Sequence, residues 1–207
     1  AESGGAEIVA HTLIRALGEK RTNWTMLLVA FIVGIPVWFT VGLVLLIPIV
    51  YTMVRETKVP LLHLGLPLIA GLSVAHGLVP PHPGPMVAIE LLKADAGKTI
   101  LYALLVGFPT AILAGPVFGK FVTHRVPVVL GGVADQLTLK GERKNPPGFG
   151  LTIVTILLPV ALMMAATVAD LTLEKASRIR QWMDFIGSPV VAMLVAVLFS
   201  FYSFGVA

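Results

Sequence analysis

Residues 61–89 read LLHLGLPLIAGLSVAHGLVPPHPGPMVAI. Pro80, Pro81, Pro83 and Pro85 fall within six residues, with Gly77 and Gly84 beside them. Proline lacks an amide hydrogen and clashes with the turn before it, so no α-helix is expected to run through that density of prolines. Yet apolar sequence continues on both sides, and from Val59 to Ile89 there is no Asp, Glu, Lys or Arg. Uncharged apolar stretches of at least ~18 residues read as membrane-spanning, because a helix rising ~1.5 Å per residue needs ~20 residues to cross ~30 Å of hydrocarbon. The break therefore belongs at membrane depth. Unwound backbone is tolerated there only where protein buries it or a wet cavity lines it.

Four more stretches lack charge: Thr22–Val54, Thr99–Gly119, Asn145–Ala169 and Phe185–Ala207. All charged residues of the 207-residue chain lie outside these five stretches, and they make up only 13% of it, against 57% hydrophobic. The mean hydropathy is +0.92. Such a chain is neither a soluble enzyme, nor a disordered tail, nor a nucleic-acid binder. It is an all-α integral membrane protein, since a β-barrel would show alternating segments of ~10 residues. The basic balance, 15 Lys+Arg against 11 Asp+Glu, reads as an orientation signal rather than a phosphate-binding face. No cysteine is present, which excludes disulfides and thiolate metal sites.

Thr22–Val54 would be ~50 Å long as one helix, more than one bilayer. It carries Gly34, Pro36 and Gly42 in its middle and Pro48 further on. Two readings fit: a tilted, kinked span, or a re-entrant hairpin of two half-helices meeting near residues 36–42. If it crosses, alternate connectors carry 8 and 7 Lys/Arg, which is no bias; if it is a hairpin they carry 10 and 5. The second count gives the clearer positive-inside asymmetry and favours the hairpin, with 1–21, 55–58 and 120–144 cytoplasmic. Paired discontinuous segments point to a transporter binding site, where freed amides, carbonyls and half-helix ends hold an anion and a coupling ion.

The remaining segments are plainer. Residues 7–19 suit a short amphipathic helix, Thr99–Gly119 a span containing Pro109 and Pro116, and 122–148 a loop. Asn145–Ala169 and Phe185–Ala207 suit two ordinary spans, with the basic run KASRIR and Trp182 at an interface between them. The opening AESGGAEIV is no signal peptide, and both ends suggest a piece of a longer membrane protein.

HGLVPPHPGP at His76–Pro85 resembles the gluconate permease (gluconate:proton symporter) family, within the ion transporter superfamily. GGAEIVAHTLIRALGEKRTNW, VGLVLLIPIV, VPLL at Val59–Leu62, ADAGKTILY at Ala94–Tyr102 and PTAILAGPVFGK at Pro109–Lys120 follow in family order. The likeness is strong over about residues 4–121 and weaker over 149–207. It implies half of an inverted-repeat transporter: a first-repeat transport region over 1–121, a cytoplasmic connector over 122–148, and the start of a second repeat over 149–207. It further implies a multi-pass protein of the bacterial inner membrane, importing gluconate-like sugar acids or related small carboxylates by proton symport. The hairpin tip and the broken helix would then build half of the site. Where the family usually has an acidic residue before the Val-Gly of the tip, this chain has Thr40, in WFTVG. Threonine cannot carry a proton at that depth.

The candidate substrate-binding residues are thus Thr40, Val41 and Gly42 at the tip, and His76, Gly77, Pro81, His82, Pro83, Gly84 and Pro85 at the break. The histidines suit substrate coordination or proton relay, or else the capping of carbonyls freed by the break. The glycines suit close backbone approach to a ligand, or simple helix packing. Glu90 and Asp95 read as solvated connector charges, and His63 as interfacial. The histidine spacing fits no metal-ligand pattern, so no metal and no cofactor is expected beyond the proton as coupling ion. The expected partners are a small carboxylate and membrane lipid, with no nucleic acid; a homo-oligomer is compatible with the sequence. Two rivals stay open. A membrane-embedded enzyme would need a convergent acid or nucleophile, and no HExxH or GxSxG occurs. A non-transporting membrane scaffold would not need two costly breaks.

Overall fold

The computed structural model describes residues 8, 9, 12, 21–126, 128, 148–174 and 177–205. It is all-helical. Eight helices are described: α1 Thr22–Gly34, α2 Phe39–Thr57, α3 Leu61–Leu78, α4 Pro83–Leu92, α5 Ala96–Thr123, α6 Phe149–Thr172, α7 Arg178–Ile186 and α8 Pro189–Gly205. Phe39–Thr57, Leu61–Leu92, Ala96–Thr123 and Phe149–Thr172 are each long and apolar enough to cross a membrane, and α7 with α8 make a fifth candidate if that bent pair is one span. The chain is a multi-pass α-helical membrane protein.

The long uncharged stretch 22–54 divides at Ile35–Trp38, around Pro36. Gly42 lies inside α2, so the gap is shorter than the 36–42 expected. With its 13 residues, α1 is ~20 Å long and falls short of a bilayer. Packing shows how α1 and α2 run. A Cβ at Gly71 of α3 would stand 2.8 Å from Ala30 Cβ and 3.0 Å from the Leu27 carbonyl oxygen, while one at Gly34 would stand 3.0 Å from Ala75 Cβ. Moving along α1 therefore means moving the same way along α3. The link from α2 to α3 is only Lys58–Pro60, so those two run antiparallel. Hence α1 and α2 fold back on each other. Their tip lies beside Leu72, which contacts the Cβ positions of both Gly34 and Gly42, ~17 Å along α3.

The Pro-rich break is narrower than the sequence reading makes it. It occupies Val79–His82, and Pro83 and Pro85 belong to the first turn of α4. That turn has no intrahelical use for its amide hydrogens, so proline costs nothing there and its fixed φ suits the start of a helix. After Lys93, a C-cap at φ 51, the chain turns back. α5 returns alongside α3: Cβ positions at Gly107, Gly115 and Gly119 meet Val74, Pro67 and Leu66 in turn. The helix widens into a π-turn at Leu113–Val117, where Pro116 withholds a hydrogen bond. Gly115 in that turn lets backbone approach Pro67 Cα, 2.9 Å from a would-be Cβ.

Asp95 is not a merely solvated connector charge. It caps α5 by accepting from the Lys98 amide (2.7 Å), and it accepts from the Thr167 hydroxyl of α6 (3.2 Å). Glu90 is exposed. α6 holds α8 through Thr155 Oγ1 to Ser203 Oγ, 2.9 Å and buried. The expected span Phe185–Ala207 begins later, at Pro189. Phe185 and Ile186 close the short amphipathic α7, which has no buried residue and bends 69° into α8. Arg180 fixes α7 to the end of α6 through an ion pair with Asp170 and a bond to the Leu173 carbonyl. Trp182 is 64% exposed on α7. The expected amphipathic helix 7–19 lies outside the described residues except for positions 8, 9 and 12, of which Val9 is buried in the cluster around Met26, Leu46 and Leu64. Most of the loop 122–148 also lies outside them; residues 122 and 123 are the last of α5.

The close contact at Gly71 gives a test of this packing. Gly71→Val should push α1 from α3 and cost ~1–3 kcal/mol, seen as a lower thermal midpoint in detergent. Gly65→Ala, where a Cβ meets nothing within 4 Å, should leave the midpoint unchanged or raise it slightly through helix propensity.

Candidate functional site

The two breaks meet. α1 ends at Gly34, and the turn around Pro36 removes the amide that would have bonded the Gly34 carbonyl. That oxygen lies in a buried apolar setting and needs a donor. His82 supplies it: Nε2 stands 2.7 Å from Gly34 O, and the side chain is 4% exposed. His82 is the N-cap residue of α4, with extended backbone (φ −62, ψ 147), and its carbonyl accepts the Met86 amide at 3.0 Å. Its ring is thereby free to point across to the hairpin instead of capping its own helix.

His76 completes the contact from the last turn of α3. Its Nδ1 lies 3.2 Å from Nδ1 of His82, with ring centroids 4.5 Å apart. On its other side His76 meets the Trp38 ring at 5.7 Å. Trp38 is the N-cap of α2 and is 59% exposed. A continuous row therefore runs Trp38, His76, His82, Gly34 carbonyl. It joins the starts of α2 and α4 to the ends of α1 and α3.

The two helix starts differ in what they can offer a ligand. In the first turn of α2, Phe39, Thr40 and Val41 each carry an amide hydrogen without an intrahelical acceptor; the next, Gly42, donates to Trp38 O at 2.8 Å. In α4, Pro83 and Pro85 have no amide hydrogen, leaving Gly84 as the single donor of that turn. An anion is therefore served better by the start of α2, where three donors coincide with the positive end of a helix dipole.

The sequence-derived residues separate as follows. His76 and His82 are brought together. Thr40 and Val41 are exposed at the start of α2, Gly42 is buried against Leu72, and Gly77, Pro83 and Gly84 are exposed. Pro81 is half-buried and Pro85 is buried. A Cβ at Gly77 or Gly84 would meet nothing within 4 Å, so neither serves helix packing within the described residues. Sequence reasoning missed Trp38 and the Gly34 carbonyl. The position of Trp38, two residues after Pro36 at the start of a half-helix, was the available signal; a carbonyl oxygen gives none. His63 lies at the opposite end of α3, near Gly119 and the end of α5. Among the described residues, no group of three His, Asp or Glu is placed to hold a metal ion.

The sequence matches the model of the GntP family permease over residues 1–207. It is 49% identical to a gluconate permease of Pseudomonas aeruginosa, over 100% of this chain and 46% of that protein. It is 36% identical to the Gnt-II system L-idonate transporter of Escherichia coli, over 99% of this chain and 46% of that protein. It is 39% identical to the D-serine transporter DsdX of Escherichia coli, again over 99% and 46%. The chain spans about half the length of these relatives. No solved structure matches it.

The bond to Gly34 predicts a difference between two substitutions. His82→Ala leaves a buried carbonyl without a donor and should cost ~1–3 kcal/mol of stability. His82→Gln keeps a side-chain N–H able to reach that oxygen and should recover most of the loss. Thermal unfolding of the purified protein in detergent checks both.

Proposed function

Because the chain belongs to the GntP permease family, we propose that it forms the first half of a secondary active transporter in the bacterial inner membrane. The cargo is gluconate or a related small hydroxy- or amino-carboxylate, imported by proton symport through alternating access. The observation that carries this reading is the meeting of two helix breaks at Trp38, His76, His82 and Gly34. An unpaired carboxylate in a low-dielectric site costs several kcal/mol, so it needs charge-assisted donors. The amides of Phe39, Thr40 and Val41 and the Thr40 hydroxyl supply them, with His76 beside. Gluconate, L-idonate and D-serine, after which the relatives are named, share a carboxylate next to carbon that bears polar groups. That shared chemistry fits a site built from backbone donors and small polar side chains. The second half of the protein would close over the exposed face of Thr40, Val41, Gly77 and Gly84.

The fold-back of α1 and α2, the shortness of α1 and the 10-to-5 distribution of Lys/Arg support a hairpin that enters and leaves on the cytoplasmic side. A membrane enzyme is disfavoured because no carboxylate or nucleophile converges on the histidines among the described residues. A scaffold would have no use for two breaks meeting at mid-depth.

Uptake of labelled gluconate into vesicles carrying the full-length protein tests the function. Imposing an inward proton gradient should raise accumulation; no gluconate uptake at all, with or without the gradient, would refute the cargo assignment. Thr40→Glu places a second carboxylate at the first-turn amides of α2 that would hold the cargo's, and should weaken gluconate uptake with or without the gradient.

Topology is tested separately. Thr22 is buried, so single cysteines belong at the exposed Arg21, Lys58 and Lys93. With no native cysteine in this chain, an impermeant thiol reagent should label Arg21→Cys and Lys58→Cys from the cytoplasmic side and Lys93→Cys from the other. Opposite-side labelling of the first two would mean that residues 22–57 cross.

A further inference from the structure

The carrier of the coupling proton is still unassigned. Residues 22–54 of α1 and α2, residues 99–119 of α5 and residues 149–169 of α6 contain no Asp, Glu, Lys, Arg or His. Residues 59–89 contain His63, His76 and His82, and His63 stands at the far end of α3. α4 adds Glu90, exposed and two turns beyond His82. Among the described residues, His76 and His82 are thus the only imidazole, amine or carboxylate groups at the depth where the breaks meet, and they touch each other.

We infer that His76 and His82 form one unit that takes up a single proton, and that this proton is the one that travels with the substrate. The inference rests on the transporter reading above. The geometry orders the protons. A carbonyl oxygen only accepts, so the hydrogen between His82 and Gly34 O belongs to His82 Nε2. In a neutral His82 ring, Nδ1 is then an acceptor. The bond between the two rings must be donated by His76 Nδ1–H. His76 Nε2 is left with a bare lone pair, on the ring that is only half-buried.

A proton from water adds at that nitrogen. One N–H bond forms, no bond in the pair breaks, and the unit goes from neutral to +1. A second proton would have to add at His82 Nδ1, which already accepts from His76. Two N–H groups would then face each other across 3.2 Å in two cationic rings. The unit therefore stops at one. A carboxylate at the first turn of α2 meets this cation, and the loaded site carries no net charge. After the carboxylate leaves on the inner side, His76 Nε2 returns its proton to water.

Two measurements on the full-length protein test this. Ring 15N NMR of histidine-labelled protein, with His76→Gln and His82→Gln for assignment, should show His76 gaining one proton on acidification. His82 should keep Nε2–H and a bare Nδ1 throughout. Two cationic rings, or none at the lowest pH at which the protein stays folded, would overturn the single-proton unit. The second measurement is the ratio of gluconate accumulated in vesicles with and without a pH difference. An electroneutral one-proton step predicts a ratio of about ten per pH unit in the unaltered protein. His76→Gln, which keeps a donor toward His82 but cannot titrate, should bring the ratio to about one whatever its absolute rate, and His63→Gln should not change it. A ratio near one in the unaltered protein would refute proton symport, and this inference with it. A raised ratio that survives His76→Gln would refute this inference alone.

Discussion

A polar backbone group in hydrocarbon must find its partner inside the protein, because there is no water to supply one. One bond meets that constraint across the two breaks of this chain, His82 Nε2–H to Gly34 O. The bond ties the end of α1 to the start of α4, 48 residues apart. Without it, α1 would end in a buried open carbonyl, and the tip of the hairpin would lose its hydrogen bond to the broken helix. His76 and Trp38 then follow, since a ring held toward Gly34 presents its other nitrogen to the last turn of α3.

Close packing around this point depends on small residues rather than on large apolar ones. Lipid tails are as apolar as leucine, so helices gain little from hiding leucine from lipid; they gain from approaching closely. Gly71 against the Leu27 carbonyl, Gly115 against Pro67, Gly97 against Thr167 and Gly187 against the Leu162 carbonyl are such approaches. Gly34 and Gly42 make two more at one side chain, Leu72. Polar side chains then connect the layers: Thr167 to Asp95 and Thr155 to Ser203.

The membrane helices were legible because charge avoids hydrocarbon, and their ends shifted only where a side chain could extend the helix into the interface. α5 starts at Ala96 because Asp95 caps it, and it runs past Lys120 because a long basic stem can reach polar surroundings. The break at Pro36 was equally legible. Pro83 and Pro85 misled, because a first turn has no need of their amides and only the later prolines of a break need be helical. The bend after Ile186 was present in the sequence as Gly187, Ser188 and Pro189, a stop followed by a start, but the surrounding apolar residues concealed it. Of the site, His76 and His82 were legible as ionisable residues in an apolar run. Their contact, the Gly34 carbonyl and Trp38 were not, because each depends on which helices fold back beside which.

The two helix starts at the junction are unequal in a way that gives the site a direction. α2 begins with three free amides and a hydroxyl, while the prolines of α4 leave it one amide. Under the proposed function, a carboxylate with a polar, uncharged tail would meet two unlike helix starts. That of α2 would hold the head and that of α4 would offer it little, so a reversed molecule would forfeit most of its strong hydrogen bonds. Orientation would then be set by where the backbone lacks hydrogen, before any side chain distinguishes one tail from another. Variation along the tail can then be tolerated or refused on the α4 side without disturbing the grip on the head.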